Sequence, residues 1–318
     1  MKSSAFVFPG QGSQAVGMLD AWAGHPAVVE TLREACDALG EDIGALIQDG
    51  PKEALALTTN TQPVMLVAGV AAWRAWLAEG GETPSVVAGH SLGEYSALVA
   101  AGALTLDQAA PLVRFRAQAM QQAVPVGVGA MAAVLGLDAA RVIAGCAEAT
   151  ASFDPGSDEV VEAVNFNDPM QTVIAGSKAA VDRACEIVKA NGAKRALLLP
   201  VSAPFHSSLM RPAAEALRER LESVPIATPR IPVINNIDVA EETDVSRIRD
   251  ALVRQAAGPV RWVETVQALK ARGVDVIVEC GPGRVLAGMA KRIVPDVASA
   301  ALYDPASLEQ TRQLLTTS

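Results

Sequence analysis

The chemistry this chain can do concentrates in a serine framed by glycines, one of three histidines, and an arginine among apolar neighbours. Ser91 stands in Gly89-His90-Ser91-Leu92-Gly93, after the apolar run Val86-Val87-Ala88 and before a helix-forming segment, Leu92 to Ala101, closed by Gly102. A serine on such a strand-to-helix turn is thrust clear of the backbone, and the glycines let strand and helix approach closely. The helix N-terminus turns N–H groups toward a developing oxyanion. This is the setting of an acyl-carrying nucleophile. A hydroxyl needs a base to take its proton. His25, beside Pro26, reads as a surface residue, and His90 sits on an adjacent turn position that points away from Ser91. His206, after Val201-Ser202-Ala203-Pro204-Phe205, is left as the base. The order nucleophile then base is that of α/β hydrolases. An acid completing a triad would come from Asp154, Asp158 or Asp168, all in or beside a separate small domain, so orientation of His206 by a backbone carbonyl is an equal alternative. Arg116 lies on an expected helix with Val113, Phe115 and Met120. A guanidinium buried there needs an anion. A substrate carboxylate gripped by two hydrogen bonds would supply one, and a structural salt bridge is the other reading.

The elements that must position these groups follow from periodicity and punctuation. Ala5-Phe6-Val7-Phe8 reads as a buried strand leading into Gly10-Gln11-Gly12. A helix is expected from Pro63, as a first-turn residue, to Leu77, and another from Leu106 to Gln122 with Thr105 as N-cap. After Gly127-Val128-Gly129, strands at 130–137, 160–165, 171–175 and 196–201 alternate with helices at 138–149 and 178–191. This βαββαβ order marks a ferredoxin-like insert. Beyond it come helices at 208–222, 246–255, 263–272 and 285–293, with strands at 232–234 and 274–279. The expected fold is α/β: an α/β-hydrolase-like large domain with a parallel sheet, residues 1–127 and 202–318, interrupted by a ferredoxin-like small domain, 128–201. A composition half hydrophobic but only 4% aromatic suits parallel strands covered by helices.

The motifs taken together resemble one family, the malonyl-CoA:acyl carrier protein transacylases, over nearly the whole chain. The resemblance rests on Phe8-Pro9-Gly10-Gln11-Gly12-Ser13-Gln14, the elbow extended through Glu94-Tyr95, Val113-Arg114-Phe115-Arg116 with Met120, and Gly129-Ala130-Met131. It continues in Val164-Asn165-Phe166-Asn167, Pro204-Phe205-His206, Leu252-Val253-Arg254-Gln255 and Glu279-Cys280-Gly281-Pro282-Gly283. It implies Ser91 as the nucleophile that carries malonyl as an ester, His206 as its base in a dyad, and Gln255 as the residue positioning that histidine. It further implies backbone N–H groups of Gln11 and Leu92 as the oxyanion hole and Arg116 as the grip on the malonyl carboxylate. Met120, Phe205 and Asn167 are expected at the substrate, Phe205 as a bulky position disfavouring an α-methyl branch. The implied reaction is ping-pong transfer from malonyl-CoA to the phosphopantetheine thiol of acyl carrier protein, with CoA released and no metal or other cofactor. Fatty-acid synthesis is the expected setting, with a trans-acting polyketide-synthase malonyltransferase as the alternative.

Other classes fit less well. A serine thioesterase or esterase would not need Arg116. A dinucleotide site would need GxGxxG, whereas Gly10-x-Gly12 is followed by Gly17 with no acid at a strand end about 20 residues on. A carrier-binding module without catalysis would need no Ser91, His206 and Arg116 together. The net charge of −9 argues against a nucleic-acid partner. No apolar run reaches the ~20 residues of a membrane span. The opening Met1-Lys2-Ser3-Ser4 does not read as an export signal, and four scattered cysteines suit a reducing, cytoplasmic setting. A monomer is expected. An acidic carrier meeting an acidic enzyme requires a local basic patch, for which Lys189, Lys194, Arg195, Arg284, Lys291 and Arg292 are the candidates.

Overall fold

The structure is a computed structural model and describes residues 2–317. In chain order, β1 (Ser4–Phe8) is followed by α1 (Pro26–Leu39), α2 (Ile43–Asp49), α3 (Lys52–Ala56) and the long α4 (Thr58–Ala78). Then come β2 (Val86–Gly89), α5 (Gly93–Ala100) and α6 (Leu106–Gln122). The middle of the chain supplies β3 (Gly129–Leu135), α7 (Ala139–Ala151), β4 (Val161–Asp168), β5 (Gln171–Ser177), α8 (Lys178–Ala190) and β6 (Arg195–Leu198). The last part runs α9 (Arg211–Glu222), β7 (Val233–Ile234), α10 (Val245–Ala256), α11 (Trp262–Ala271), β8 (Val276–Cys280), α12 (Val285–Ile293), β9 (Ala298–Leu302) and α13 (Pro305–Thr316). The chain divides into two compact units, one of Met1–Ala117, Ser223–Ile248 and Thr265–Ser318, the other of Gln118–Glu222 and Arg249–Glu264.

The first unit holds a five-stranded parallel sheet in the order β7-β2-β1-β8-β9. Every residue of β1, β2 and β8 is buried, as expected for central parallel strands covered on both faces. Their sequences are accordingly continuous apolar runs rather than alternations. The C-terminal ends of these strands deliver the Gly10-Gln11-Gly12 loop, the Ser91 turn and the Gly281-Pro282-Gly283 turn, the edge where parallel α/β sheets place their sites.

The second unit is built on an antiparallel sheet in the order β4-β5-β3-β6, the ferredoxin-like arrangement of a βαββαβ chain. Helices α7 and α8 bury Val142, Cys146, Val181 and Val188 against Ala132, Val134 and Ile174 of this sheet. The stretch 128–201 lies within this unit, which also takes in residues on either side of it and Arg249–Glu264. Backbone bonding explains the last of these: Phe166 N–H donates to Val260 O (3.0 Å) and Val260 N–H to Val164 O (2.8 Å), so the later segment extends the β4 edge.

Several elements depart from expectation. The helix expected to start at Pro63 begins at Thr58, and Pro63 sits inside it. A proline there leaves the carbonyl four residues back without its helical donor. That carbonyl, Thr59 O, accepts from the Arg114 guanidinium instead, which lets the helix run through. The strand expected over 196–201 is the shorter β6, and the helix expected from Ser208 opens with a 3-10 turn (Ser208–Met210) before α9. Strand β9 and helix α13 were not expected. His25 is not a surface residue: its ring meets the Trp22 ring edge-on at 5.8 Å, and Nε2 lies 3.3 Å from Glu79 Oε1.

Candidate active site

Within the first unit, sterics dictate the composition of the Ser91 turn. A Cβ on Gly89 would fall 1.9 Å from the carbonyl carbon of Gly93, and a Cβ on Gly93 would fall 2.0 Å from Phe8 O. Neither position admits a side chain. Gly10 is equally constrained, since a Cβ there would fall 2.6 Å from His90 O, so the Gln11 loop and the elbow ride directly on one another. Ser91 itself has φ +52°, a left-handed conformation that L-residues adopt at a cost. Its N–H donates to Asn236 Oδ1 (2.7 Å), while Asn236 Nδ2 donates to Gly89 O (2.7 Å) and the Asn236 backbone N–H donates to the buried carboxylate of Glu94 (2.8 Å).

Helix α5 starts just beyond. The N–H groups of Gly93, Glu94 and Tyr95 close onto the carbonyls of His90, Ser91 and Leu92. The Leu92 N–H and the Gln11 N–H find no acceptor among the described residues. Two uncommitted backbone donors, one at a helix N-terminus beside the serine and one on the adjoining loop, are what an oxyanion hole requires. The Gln11 side chain is separately held to Thr58 Oγ1 (3.3 Å).

Arg116 comes from α6 and is 2% exposed. Its Nη2 donates to Ser91 Oγ (3.2 Å), its Nη1 donates to Gln62 Oε1 (2.6 Å), and Cζ lies 5.5 Å from the centroid of the Tyr95 ring. Burial pulls the guanidinium below its ordinary pKa, with Tyr95 and Glu94 opposing the shift. The same burial pushes the Tyr95 phenol up to about 12, keeping that ring neutral. A cation aimed at the serine oxygen can take a carboxylate attached to an acyl group on that oxygen.

The second unit holds the remaining expected residues. His206 is buried and, like Ser91, left-handed, with φ +67°. Among the described residues only Ser91, His206 and Val239 combine a side chain with positive φ, so two of the three are the expected nucleophile and base. His206 Nδ1 lies 2.8 Å from the backbone carbonyl oxygen of Gln255. A carbonyl only accepts, so Nδ1 carries the hydrogen and Nε2 is the basic nitrogen of the neutral ring. Gln255 thus meets the histidine through its main chain. Of the acids considered for a triad, Asp154 and Asp158 are exposed, and Asp168 accepts from Met170 N–H (2.9 Å) in the turn after β4. Met120 and Phe205 share one buried cluster with Val124, Met131 and Met210, and Asn167 is buried at the end of β4.

Two residues of the first-unit site, Gln62 and Asn236, had no signal in the sequence. Gln62 is one of two amides in the polar opening turns of α4, Thr58-Thr59-Asn60-Thr61-Gln62, and Asn236 is one of two asparagines following β7; each meets its partner across more than 50 residues.

A family model for the acyl transferase domain matches residues 5–309. The malonyl CoA-acyl carrier protein transacylase of Salmonella typhimurium is 52% identical over 309 residues, 97% of this chain and 98% of that protein. Among solved structures, the acyl-carrier-protein S-malonyltransferase of Burkholderia pseudomallei superimposes with a TM-score of 0.94 at 63% identity, covering 97% of this chain and 99% of that one. A malonyl-transacylase solved in complex with a type II polyketide-synthase acyl-carrier protein gives 0.93 at 50% identity, covering 98% and 99%. The fold and site are those of an acyltransferase. Within that class, the chain belongs to the malonyl-CoA:acyl carrier protein transacylase family.

Proposed function

We propose that this acyltransferase moves malonyl from malonyl-CoA to the phosphopantetheine thiol of acyl carrier protein through a malonyl ester on Ser91. The observation that carries the reading is the buried Arg116 guanidinium hydrogen-bonded to Ser91 Oγ, a cation set where the free carboxylate of a malonyl ester would lie. In the first half-reaction Ser91 Oγ attacks the thioester carbonyl as His206 Nε2 takes its proton. The Gln11 and Leu92 N–H groups hold the oxyanion. Collapse breaks the C–S bond, and the proton held by His206 leaves with the CoA thiolate. The second half-reaction is the same sequence in reverse, with the carrier thiol surrendering its proton to His206 and Ser91 recovering one. Neither half changes an oxidation state, so the reading invokes no cofactor. Met120, Phe205 and Asn167 are proposed to line the acyl side of the site.

Gln255 acts on His206 through its carbonyl, so Gln255→Ala should lower kcat of the folded enzyme by less than about tenfold, whereas His206→Ala should lower it by about 10³-fold or more. A triad-sized loss in Gln255→Ala would remove the carbonyl's assigned role.

Of the basic residues proposed to dock the carrier, Lys189, Lys194 and Arg195 are exposed in the second unit, and Arg284, Lys291 and Arg292 are exposed in the first. Charge reversal at Lys189 or Arg284 that left kcat/KM for the carrier unchanged would remove that position from the docking surface. No described helix is long and apolar enough to cross a membrane. The four cysteines are free thiols, which supports a reducing cytoplasmic setting. We assign the chain to fatty-acid synthesis as a monomer. The relative solved with a polyketide-synthase carrier keeps that carrier class as the second reading, and parallel kcat/KM measurements on both carrier types decide between them.

The central test is intact-mass analysis after mixing with malonyl-CoA and, separately, acetyl-CoA. A malonyl adduct on the wild type, absent in Ser91→Ala and far weaker with acetyl-CoA, is the expected result. Equal labelling by both substrates would remove the role of Arg116.

A further inference from the structure

Asn236 is buried at 0% exposure just past β7, whose Val233 and Ile234 pair with Val87 and Ala88 of β2. Strand pairing with β7 stops there because the β2 chain turns away at Gly89 into the elbow. The Asn236 side chain takes over where the main chain leaves off. Its amide nitrogen donates to Gly89 O and its oxygen accepts from Ser91 N–H, both at 2.7 Å, so one planar amide spans His90 in the way the next peptide of a paired strand would. The Glu94 carboxylate, itself 2% exposed on the first turn of α5, accepts from the Asn236 backbone N–H at 2.8 Å and fixes the amide from the other side. The clamp therefore joins the strand before the serine, the serine's own N–H and the helix after it.

We propose that Asn236 is a positioning residue for acyl transfer: by clamping Gly89 O and Ser91 N–H it holds Ser91 in its left-handed conformation and thereby aims Oγ and the Leu92 oxyanion donor together. Two consequences follow from the geometry. The serine's own N–H is spent on Asn236, which leaves Leu92 N–H as the donor at this turn. In addition, the strained φ of Ser91 needs an external hold, because an L-residue left to itself relaxes out of that region. Other side chains serve poorly. Alanine leaves a buried donor and a buried acceptor unpaired, and aspartate as a carboxylate accepts from Ser91 N–H but faces Gly89 O without a hydrogen to give. Protonated aspartate restores both bonds.

The proposal rests on Ser91 as the acyl carrier, so Ser91→Ala is run alongside: an adduct surviving in that variant sinks the nucleophile assignment, independently of what Asn236 variants do. For the full chain with Asn236→Ala, rapid-quench intact mass with malonyl-CoA should show acylation about 10- to 100-fold slower, with KM within threefold and a circular dichroism spectrum like wild type. For Asn236→Asp, the ratio of its acylation rate to wild type should rise as pH is lowered, as the carboxyl regains a hydrogen for Gly89 O. Folded Asn236→Ala acylating within threefold of wild type overturns the proposal, as does a slowdown expressed only in KM. Where Asn236→Ala does not fold, Asn236→Asp decides alone: a ratio to wild type that stays flat with pH overturns the clamp, and one that climbs toward acid supports it.

Discussion

Two strands of one sheet, β2 and β8, each run into a glycine-bearing turn and then a helix, and the two helix starts are finished in opposite ways. After β8 the turn is all backbone: Gly281 and Gly283 take φ of +130° and +92°, where no ordinary side chain belongs. The Glu279 carboxylate reaches forward from the strand and accepts from Ala287 N–H at 2.8 Å, with the N–H groups of Leu286 and Val285 also favouring its charged form. Helix α12 is thus sealed from within by a buried anion. After β2 the left-handed position carries a serine instead of a glycine, a neutral amide from Asn236 braces the turn, and the Leu92 N–H has no acceptor among the described residues. A sealed start is a structural joint. An open one keeps its partial positive charge for an anion that forms only during reaction, which is the condition for stabilising a transition state rather than a resting group.

The largest expected effect separates the two joints cleanly. Ser91→Ala should lower malonyl transfer by about 10⁴-fold or more, yet leave the melting temperature nearly unchanged, since alanine keeps the Cβ and the left-handed backbone and only Oγ is removed. Activity assays paired with calorimetry check this. A large drop in melting temperature would mean that the elbow, like the Glu279 turn, is there to hold the fold.

Next in size is Arg116→Ala. The guanidinium donates to both Ser91 Oγ and Gln62 Oε1, so its loss removes the proposed carboxylate grip and one hydrogen bond to a buried amide oxygen. A fall of about 10²- to 10³-fold in kcat/KM for malonyl-CoA, roughly 3–4 kcal/mol of transition-state stabilisation, is expected. Acetyl transfer, which has no carboxylate to grip, should fall far less or rise. Parallel losses for both acyl groups would make Arg116 a brace of the elbow, a companion to Asn236, instead of a specificity residue.

How much of this was legible in the sequence follows from how local each device is. The elbow could be read because Gly89, Ser91 and Gly93 interact within five residues and the steric demand falls on residue type. The ferredoxin-like insert was legible for the same reason: alternation and helix period are local, and the βαββαβ order then fixes the pairing. Asn236 was invisible because it meets Ser91 across 145 residues and nothing in Val233-Ile234-Asn235-Asn236 marks one asparagine over the other. Gln62 pairs with Arg116 across 54 residues inside a helix whose start was misplaced by reading Pro63 as a first-turn signal. The partner of His206 Nδ1 is a carbonyl, and every residue has one, so position 255 came from the family resemblance and not from the chemistry of its side chain. Glu279 was read as part of a motif, while its capping role depended on α12 folding back over it.

That capping carboxylate gives the smallest and most specific expectation. Glu279 is fully buried, and burial drives its pKa up to about 7 from the ordinary 4.5, with the nearby backbone N–H groups of Ala287, Leu286 and Val285 pulling the other way. Its Oε1 has no partner among the described residues. Because the folded state holds this proton more tightly than the unfolded chain, unfolding releases it, and stability falls as pH rises between about 4.5 and about 7. Below that window both states are protonated and above it neither is, so the contribution is flat on either side. The span corresponds to about 3 kcal/mol at most, a figure that water penetration on opening of α12 would reduce. Glu279→Gln keeps an acceptor for Ala287 N–H and cannot titrate, so the difference in urea-unfolding free energy between wild type and variant should change in the variant's favour as pH goes from 5 to 8. Parallel curves for the two proteins would show that Glu279 holds its charge without penalty, and the contrast between a joint sealed by a buried anion and one left open for a transient anion would then lose its electrostatic basis.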